Sequence, residues 1–389
     1  MTRTLAGTCA IAGIGQTEFS KDSGRSELQL ACEAVSAALD DAGLTPGDVD
    51  GMVTFTMDSS DEIDVARNVG IGDLTFFSRV PHGGGAAAGT VAHAAMAIAT
   101  GAAEVVVCYR AFNERSGRRF GGTGQTSTQT PLFMAPYAPF GLLTPAAWVA
   151  LHAQRYMSTY GVTNADFATI AVVDRAHAAT NPDAWFYQRP ITAEDHQNSH
   201  WIIEPVLRLL DCCQESDGGV ALVVTSAQRA RDLRRPPAII SAAAQGAAAE
   251  GEMMTSYYRE NITGLPEMGV VARKLWRDSG LGPKDIHTAF IYDHFTPFVF
   301  TQLEELGFCG RGEAKDFATV ERLSLGGELP INTNGGLLGE AYIHGMNGIT
   351  EGVRQVRGTS CNQVDVVEHV LVTSGTGVPT SGLILGADR

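Results

Sequence analysis

The sequence states one structural phrase twice, and this duplication limits the folds open to the chain. In the first copy an amphipathic stretch, Leu28 to Leu39, runs into Asp41-Ala42-Gly43-Leu44-Thr45-Pro46-Gly47-Asp48 and then the apolar run Met52-Val53-Thr54-Phe55. In the second, Val271 to Trp276 runs into Asp278-Ser279-Gly280-Leu281-Gly282-Pro283-Lys284-Asp285 and then Ala289-Phe290-Ile291-Tyr292. Gly-Leu-x-Pro-x-Asp alone is a general helix-stop and strand-entry signal, but here its surroundings repeat as well. A short strand precedes each copy, Ala10 to Ile14 and Ala238 to Ala242, and a glycine-rich turn into a small-residue helix follows, Gly83-Gly84-Gly85 to Gly101 and Gly335-Gly336 to Gly352. Repetition in this order predicts two βαβ-rich α/β halves.

The halves are expected at 1–235 and 236–389, joined through Arg229 to Pro237, where the two prolines at 236 and 237 break helix and strand alike. From about 111 to 205 the repeat is lost, with a Gly/Thr/Gln stretch at 121–130 and prolines at 131, 136, 139 and 145. This region reads as an inserted loop domain, a common way to build a substrate site on a rigid scaffold.

A net charge of −15 argues against general nucleic-acid binding, which rewards a basic footprint. No apolar run approaches the roughly 20 residues of a membrane span, and Met1 to Leu5 lack a secretory apolar stretch, so a cytoplasmic chain is expected. The seven cysteines are scattered and show no C-x-x-C spacing, which predicts neither disulfides nor a metal site. Cys212-Cys213 reads as packing, Asp217-Gly218-Gly219 as a turn before a strand, and Asp58 to Asp64 as a solvated acidic loop. Gly13-Ile14-Gly15 lacks the third glycine of a dinucleotide fingerprint.

The helix after Gly85 places Val91, Ala94, Ala95 and Ile98 at i, i+3, i+4 and i+7 among alanines and glycines, so it must pack closely on all sides. Its N-terminus offers unpaired N–H donors and the positive end of the helix dipole, where a thiolate or oxyanion is stabilised. The residues found there are Gly83, Gly84 and Gly85.

Together these features resemble the thiolase superfamily over nearly the full chain, especially its sterol-carrier and nonspecific lipid-transfer branch. That family starts its buried helix with a nucleophilic cysteine and ends the stretch with Ile-x-x-Gly. Ile98-Ala99-Thr100-Gly101 matches, and counting back puts Gly84 at the cysteine position. The Asn-Glu-Ala-Phe or His-Asp-Cys-Phe motif reads Tyr292-Asp293-His294-Phe295, and the catalytic histidine of Gly-His-Pro falls on Tyr342 in Ala341-Tyr342-Ile343-His344-Gly345. The family's second cysteine is also missing, since Leu371-Val372-Thr373-Ser374 precedes Gly375-Thr376-Gly377.

The resemblance implies a layered αβαβα sandwich built from duplicated βαβαβαββ halves with the inserted loop domain. Thiolysis needs a thiolate to carry the acyl group, and Gly84 supplies none. A pocket holding an acyl-CoA carbonyl against enolate-stabilising donors still suits retro-aldol cleavage of a β-hydroxyacyl-CoA, which forms no acyl-enzyme. Tyr342 is read as base and Tyr292 as enolate stabiliser and acid, an order the sequence alone leaves open, with His294 and His344 assisting. Gly84, Gly85, Gly375 and Gly377 would line the substrate. Arg110 opens a basic cluster with Arg115, Arg118 and Arg119 that is expected to meet the CoA phosphates, whereas Arg229 to Arg235 reads equally well as a linker.

The same losses and tyrosine replacements are similar to those of the steroid side-chain aldolases of actinobacterial sterol catabolism. That similarity implies cleavage of a 17-hydroxy steroid C22-CoA to a 17-ketosteroid and propionyl-CoA, with no cofactor besides the CoA of the substrate. It also implies a homodimer and a complex with an OB-fold and zinc-ribbon acyl-CoA-binding protein associated with a hydratase. The competing readings are an inactive acyl-CoA or lipid carrier or scaffold, and a residual thiolase.

Overall fold

A computed structural model describes residues 5–117, 119, 135–252, 256–377 and 380–388. Residues 1–4, Arg118, the 121–130 stretch and Pro131, all invoked above, lie outside the described residues. The strands are β1 (Cys9–Gln16), β2 (Gly51–Phe55), β3 (Phe76–Val80), β4 (Val105–Asn113), β5 (Trp201–Ile203), β6 (Leu207–Arg208), β7 (Asp217–Ser226), β8 (Ala238–Gly246), β9 (Thr288–Phe290), β10 (His369–Ser374) and β11 (Thr380–Ala387). Apart from the β5–β6 hairpin they form one nine-stranded sheet in the order β3-β2-β4-β7-β1-β8-β11-β10-β9.

The duplicated sequence becomes a mirrored strand order about the antiparallel β1–β8 seam. Moving outward on one side, β1–β7 and β7–β4 are antiparallel and β4–β2 is parallel. On the other side β8–β11 and β11–β10 are antiparallel and β10–β9 is parallel. Where the first side adds β3 in parallel, the second carries only a single parallel bridge, Ala289 to Ile331.

Side chains alternate between the two faces of a strand, and this sorts the core into layers. On β4, Val106 and Cys108 join the central core, while Val105, Val107 and Tyr109 join an outer one. The central core holds the helices Ala87–Thr100 and Met346–Arg357 between the two sheet halves. The outer cores are capped by helix Glu27–Ala42 on one side and by helices Pro266–Ser279 and Thr296–Glu305 on the other. Ser26 accepts from the Gln29 N–H at the start of Glu27–Ala42, and Gly43 closes it with φ 75°.

Two regions differ from expectation. Much of the segment read as a loop domain is regular: β4 continues to Asn113, and helices Pro145–Tyr160 and Asn164–Thr180 pack into the outer core of the second half. Thr144 caps the first through the Ala147 N–H, and Thr163 with Asp166 forms a capping box on the second. A search for the repeated strand phrase passes over such helices. The Asp58 to Asp64 stretch is not a solvated loop. Asp58 is buried against Arg110 at 3.1 Å, and Glu62, buried at the start of helix Glu62–Val69, pairs with Arg79 at 2.6 Å.

Helix Glu27–Ala42 lies almost directly on β1. A Cβ at Gly15 would fall 2.3 Å from the Ala34 carbonyl oxygen, and one at Gly13 would fall 2.2 Å from that of Ala38. Gly15→Ala must therefore push the helix off the sheet. We expect it to cost about 1–3 kcal/mol, the usual range for overpacking, read as a lower urea midpoint at unchanged slope. An unchanged midpoint would mean that the helix slides freely over the strand.

Candidate active site

Tyr292 leaves the end of β9 with its backbone fully committed. Its N–H donates to Thr373 Oγ1 at 2.9 Å, its carbonyl accepts from Gln302 Nε2 at 2.7 Å, and Thr373 Oγ1 donates to Gln302 Oε1 at 2.8 Å. The next residue, Asp293, is buried and accepts from the Leu337 and Leu338 N–H groups at 2.9 and 3.0 Å, which fixes the glycine turn before Tyr342. Locked on both sides of its Cα, the Tyr292 ring can point only into the central layer, where it is 2% exposed.

The hydroxyl ends at the glycines that open helix Ala87–Thr100. A Cβ at Gly84 would lie 1.8 Å from Tyr292 Oη, so the phenol and any side chain at 84 exclude each other. A Cβ at Gly345, the residue before helix Met346–Arg357, would lie 3.0 Å from the same ring. The Tyr292 phenol thus sits between the N-termini of both central helices, whose dipoles favour negative charge there.

Tyr342 closes the site. Its hydroxyl is 3.0 Å from that of Tyr292, and its backbone N–H donates to Ser216 Oγ at 3.2 Å. Burial pushes both phenols well above their ordinary value of 10, and each is further affected by the other and by the nearby Cys213 and Glu114. A lone phenolate is therefore disfavoured, and the short contact between the hydroxyls is where a single charge would be shared.

His344 lies two residues on, edge-to-face with Tyr342 at 5.1 Å and stacked on Phe112 at 4.9 Å. Its Nδ1 accepts from Arg110 Nε at 3.2 Å, and Arg110 in turn pairs with Asp58. A guanidinium can only donate, so the imidazole proton must sit on Nε2. Burial, followed by the Arg110 charge, holds His344 well below 6.5 and therefore neutral. Its Nε2 faces the glycine turn, 2.9 Å from where a Cβ on Gly83 would be. His344 adopts φ 50°, the left-handed region where a non-glycine residue is strained, as is common at functional sites.

His294 lies on the other side of Tyr292, ring centroids 5.0 Å apart. Its Nε2 is bonded to Thr376 Oγ1 at 3.1 Å, and burial pushes the imidazole down to about 3. The Gly375 to Gly377 loop carrying Thr376 presses onto the helix start, since a Cβ at Gly375 would fall 2.4 Å from the Gly85 Cα. Ser374 and Ser381 accept from the Ala88 and Gly89 N–H groups at 3.1 and 3.0 Å. The structure thus brings together Tyr292, Tyr342, His294, His344, Gly84, Gly85, Gly375 and, through Thr376, the loop ending at Gly377.

Arg110 lies elsewhere than a phosphate site would need. It is 1% exposed, lies over the Phe112 ring at 4.2 Å and is spent on Asp58 and His344. Arg115 and Arg119 are half exposed near Glu215, and Arg229, Arg231 and Arg235 pair with acids on neighbouring segments. Among the described residues no three His, Cys, Asp or Glu side chains gather as a metal site, and no helix is long and apolar enough to cross a membrane. Sequence reasoning missed Asp58, Gln302, Thr373, Ser216 and Glu114. Asp217-Gly218-Gly219, read as a turn before a strand, instead opens β7 itself and pairs with Asn113, Phe112 and Ala111 of β4, because its long-range strand partner cannot be seen in the local Asp-Gly-Gly signal.

Residues 247–386 match the family model described as thiolase C-terminal domain-like. A steroid side-chain-cleaving aldolase of Thermomonospora curvata is 70% identical over 99% of both chains. A 17-hydroxy-3-oxo-4-pregnene-20-carboxyl-CoA lyase of Mycobacterium tuberculosis is 65% identical over 98% of this chain and 100% of that protein. A solved structure described as an Ltp2-ChsH2(DUF35) aldolase superposes with a TM-score of 0.95 at 68% identity, covering 100% of both chains. The chain therefore belongs to the thiolase-like superfamily, within its family of steroid side-chain-cleaving aldolases.

Proposed function

We propose that this chain cleaves a 17-hydroxy steroid bearing a C22-CoA side chain to a 17-ketosteroid and propionyl-CoA. The observation that carries the reading is the pair of phenol oxygens 3.0 Å apart in the space that Gly84 leaves open. One phenol, as phenolate, takes the 17-hydroxyl proton. The C–C bond to the side chain breaks, its electron pair passes into the thioester enolate, and the other phenol protonates the enolate carbon. The short contact then returns the first proton to the second phenol, so base and acid are two states of one pair, and no proton is gained or lost overall.

The neutral His344, donating from Nε2, and the two helix N-termini would stabilise the enolate oxygen. His294 would orient the Tyr292 ring and the loop Gly375 to Gly377, since at about 3 it cannot carry a proton near neutrality. We assign Gly84, Gly85, Gly375 and Gly377 to the floor on which the thioester lies, and Arg110 to holding His344. The residues supply this chemistry without a cofactor other than the CoA carried by the substrate.

A homodimer fits the open edge of the sheet, where β3 is unpaired on one side and Phe77 is 63% exposed. The solved relative is an Ltp2-ChsH2(DUF35) aldolase. We extend that association to this chain as a complex with an OB-fold and zinc-ribbon acyl-CoA-binding protein. We assign the reaction to the cytoplasm, a reading supported by a water-soluble CoA thioester as substrate.

The test is chromatographic release of propionyl-CoA and 17-ketosteroid by the chain co-expressed with its DUF35 partner. Tyr292→Phe and Tyr342→Phe are each expected to lower kcat by about 10²- to 10⁴-fold, the usual contribution of acid–base catalysis. Tight acyl-CoA binding with no cleavage by the wild type would favour a carrier instead. Gly84→Cys is expected to abolish cleavage without gaining thiolysis, because the new Cβ meets the Tyr292 hydroxyl. Measurable acetoacetyl-CoA thiolysis by that single variant would refute the exclusion.

A further inference from the structure

Asp58 lies in the turn after β2, and the Arg110 side chain links that turn to His344. Asp58 Oδ2 pairs with Arg110 Nη1 at 3.1 Å, and both side chains are at most 2% exposed. Arg110 Nε in turn donates to His344 Nδ1 at 3.2 Å. The anchor is itself held from two directions. Asp58 Oδ1 accepts the Ser60 N–H at 3.0 Å and Oδ2 accepts the Ala111 N–H at 3.3 Å, while Tyr109 Oη donates to the Ser60 carbonyl at 2.5 Å. Asp58 is thus fastened both to its own turn and to β4.

Side chains alternate along β4, so Arg110 falls on the central face between Cys108 and Phe112. There the guanidinium lies over the Phe112 ring at 4.2 Å and the Phe55 ring at 5.5 Å. The same two rings run nearly parallel to the His344 imidazole, at 16° with centroids 4.9 Å apart and at 13° with centroids 6.1 Å apart. Stacking of this kind sets the plane of the imidazole but not its edge, because a half-turn of the ring keeps the plane and exchanges nitrogens for carbons. Both Nε2 and Cε1 lie 2.9 Å from where a Cβ on Gly83 would be, so that half-turn decides whether the pocket receives an N–H or a C–H. The Arg110 N–H, which finds an acceptor only on nitrogen, makes the choice.

The turn after β2 holds the opposite wall as well. The His82 N–H donates to Thr56 Oγ1 at 2.8 Å, immediately before the Gly83 turn that His344 faces. One loop therefore spaces the imidazole from the glycines across the pocket. We propose that Asp58, acting through Arg110, aims the His344 Nε2–H at the enolate oxygen. A guanidinium buried without its anion draws toward other acceptors or water, and His344 then loses the donor that selects its edge. Asp58 touches no reacting atom and acts through two other residues, so it is a positioning residue.

This inference rests on the retro-aldol reading. It is tested by kcat and KM for the chain in complex with its partner, beside nitrogen NMR of protein carrying isotope-labelled histidine, with the His344 signals assigned by their loss in His344→Gln. The wild type should show a protonated Nε2 and an unprotonated, hydrogen-bonded Nδ1 on His344. Asp58→Asn should lower kcat about 100-fold, the usual cost of one lost oxyanion donor, with KM little changed because the enolate charge develops only in the transition state. Adding Arg110→Gln, whose Nε2 takes the place of the Arg110 Nε and carries no charge to balance, should restore kcat to within about tenfold of the wild type. Adding Arg110→Met instead, of the same length but without an N–H, should restore nothing and should release the Nδ1 signal from its hydrogen-bonded position.

The two double variants are both neutral at this pair, so their comparison decides the matter even where Asp58→Asn alone fails to fold. Equal kcat in the two, a loss that falls on KM, or a wild-type His344 protonated on Nδ1 would overturn the proposal while the retro-aldol reading stands. A wild type that binds acyl-CoA but does not cleave it overturns both.

Discussion

The close packing of two helices between the halves of one sheet governs this structure. Helix Ala87–Thr100 meets strands on both sides, so alanine and glycine fill most of its positions and its backbone comes within contact of its neighbours. The Gly375 loop has no room for a side chain against Gly85, and a Cβ at Gly348 of the second central helix would fall 2.3 Å from the Phe290 ring. Phe290 ends β9, and Tyr292 follows two residues later. The packing that seats the second helix therefore also aims the Tyr292 phenol, and both helix N-termini are delivered to one point.

At that point only one of two chemistries fits. A side chain at 84 and a phenol at 292 would claim the same volume, so the site can hold a nucleophile on the helix or a hydroxyl from the sheet. The substitution of one position is physically meaningless without the other. The change also removes the need for ionisable sulfur. A thiolate here would have to be activated by a neighbouring base, yet burial makes both nearby imidazoles weak bases, and the buried Cys213 is pushed up by burial and by surrounding acids.

What was legible in the sequence followed from local pattern. The repeated phrase was visible because helix stops and strand entries are written in adjacent residues, and the mirrored strand order matches it. Tyr292 and Tyr342 stood out because each occupies a defined place in a short motif, and they lie 3.0 Å apart. Asp58, Arg110 and Glu114 were misread or missed because their neighbours come from far along the chain. Asp58 sits in a run of polar residues that looks solvated until β4 closes over it, and Arg110 looks like a phosphate ligand until it is seen 234 residues away from its partner His344. The helices at 145–180 were invisible to a search for repeated strands because they belong to no repeat.

The polar groups of this site are arranged to carry one negative charge and no more. Two like charges about 4 Å apart repel by about 4 kcal/mol at an effective dielectric of 20, roughly a thousandfold penalty on any step that creates the second. The buried positive charge nearby, Arg110, is already balanced by Asp58, and the imidazoles remain neutral. A mechanism that ionised a phenol and built an enolate independently would meet that penalty. One in which the same charge moves from a phenolate to the substrate alkoxide and then to the enolate does not, because every step shifts a proton or an electron pair at constant total charge. The mutual 3.0 Å contact of the phenols would let the charge move over short distances, and the helix N-termini beside them would hold it last, on the thioester of the proposed substrate.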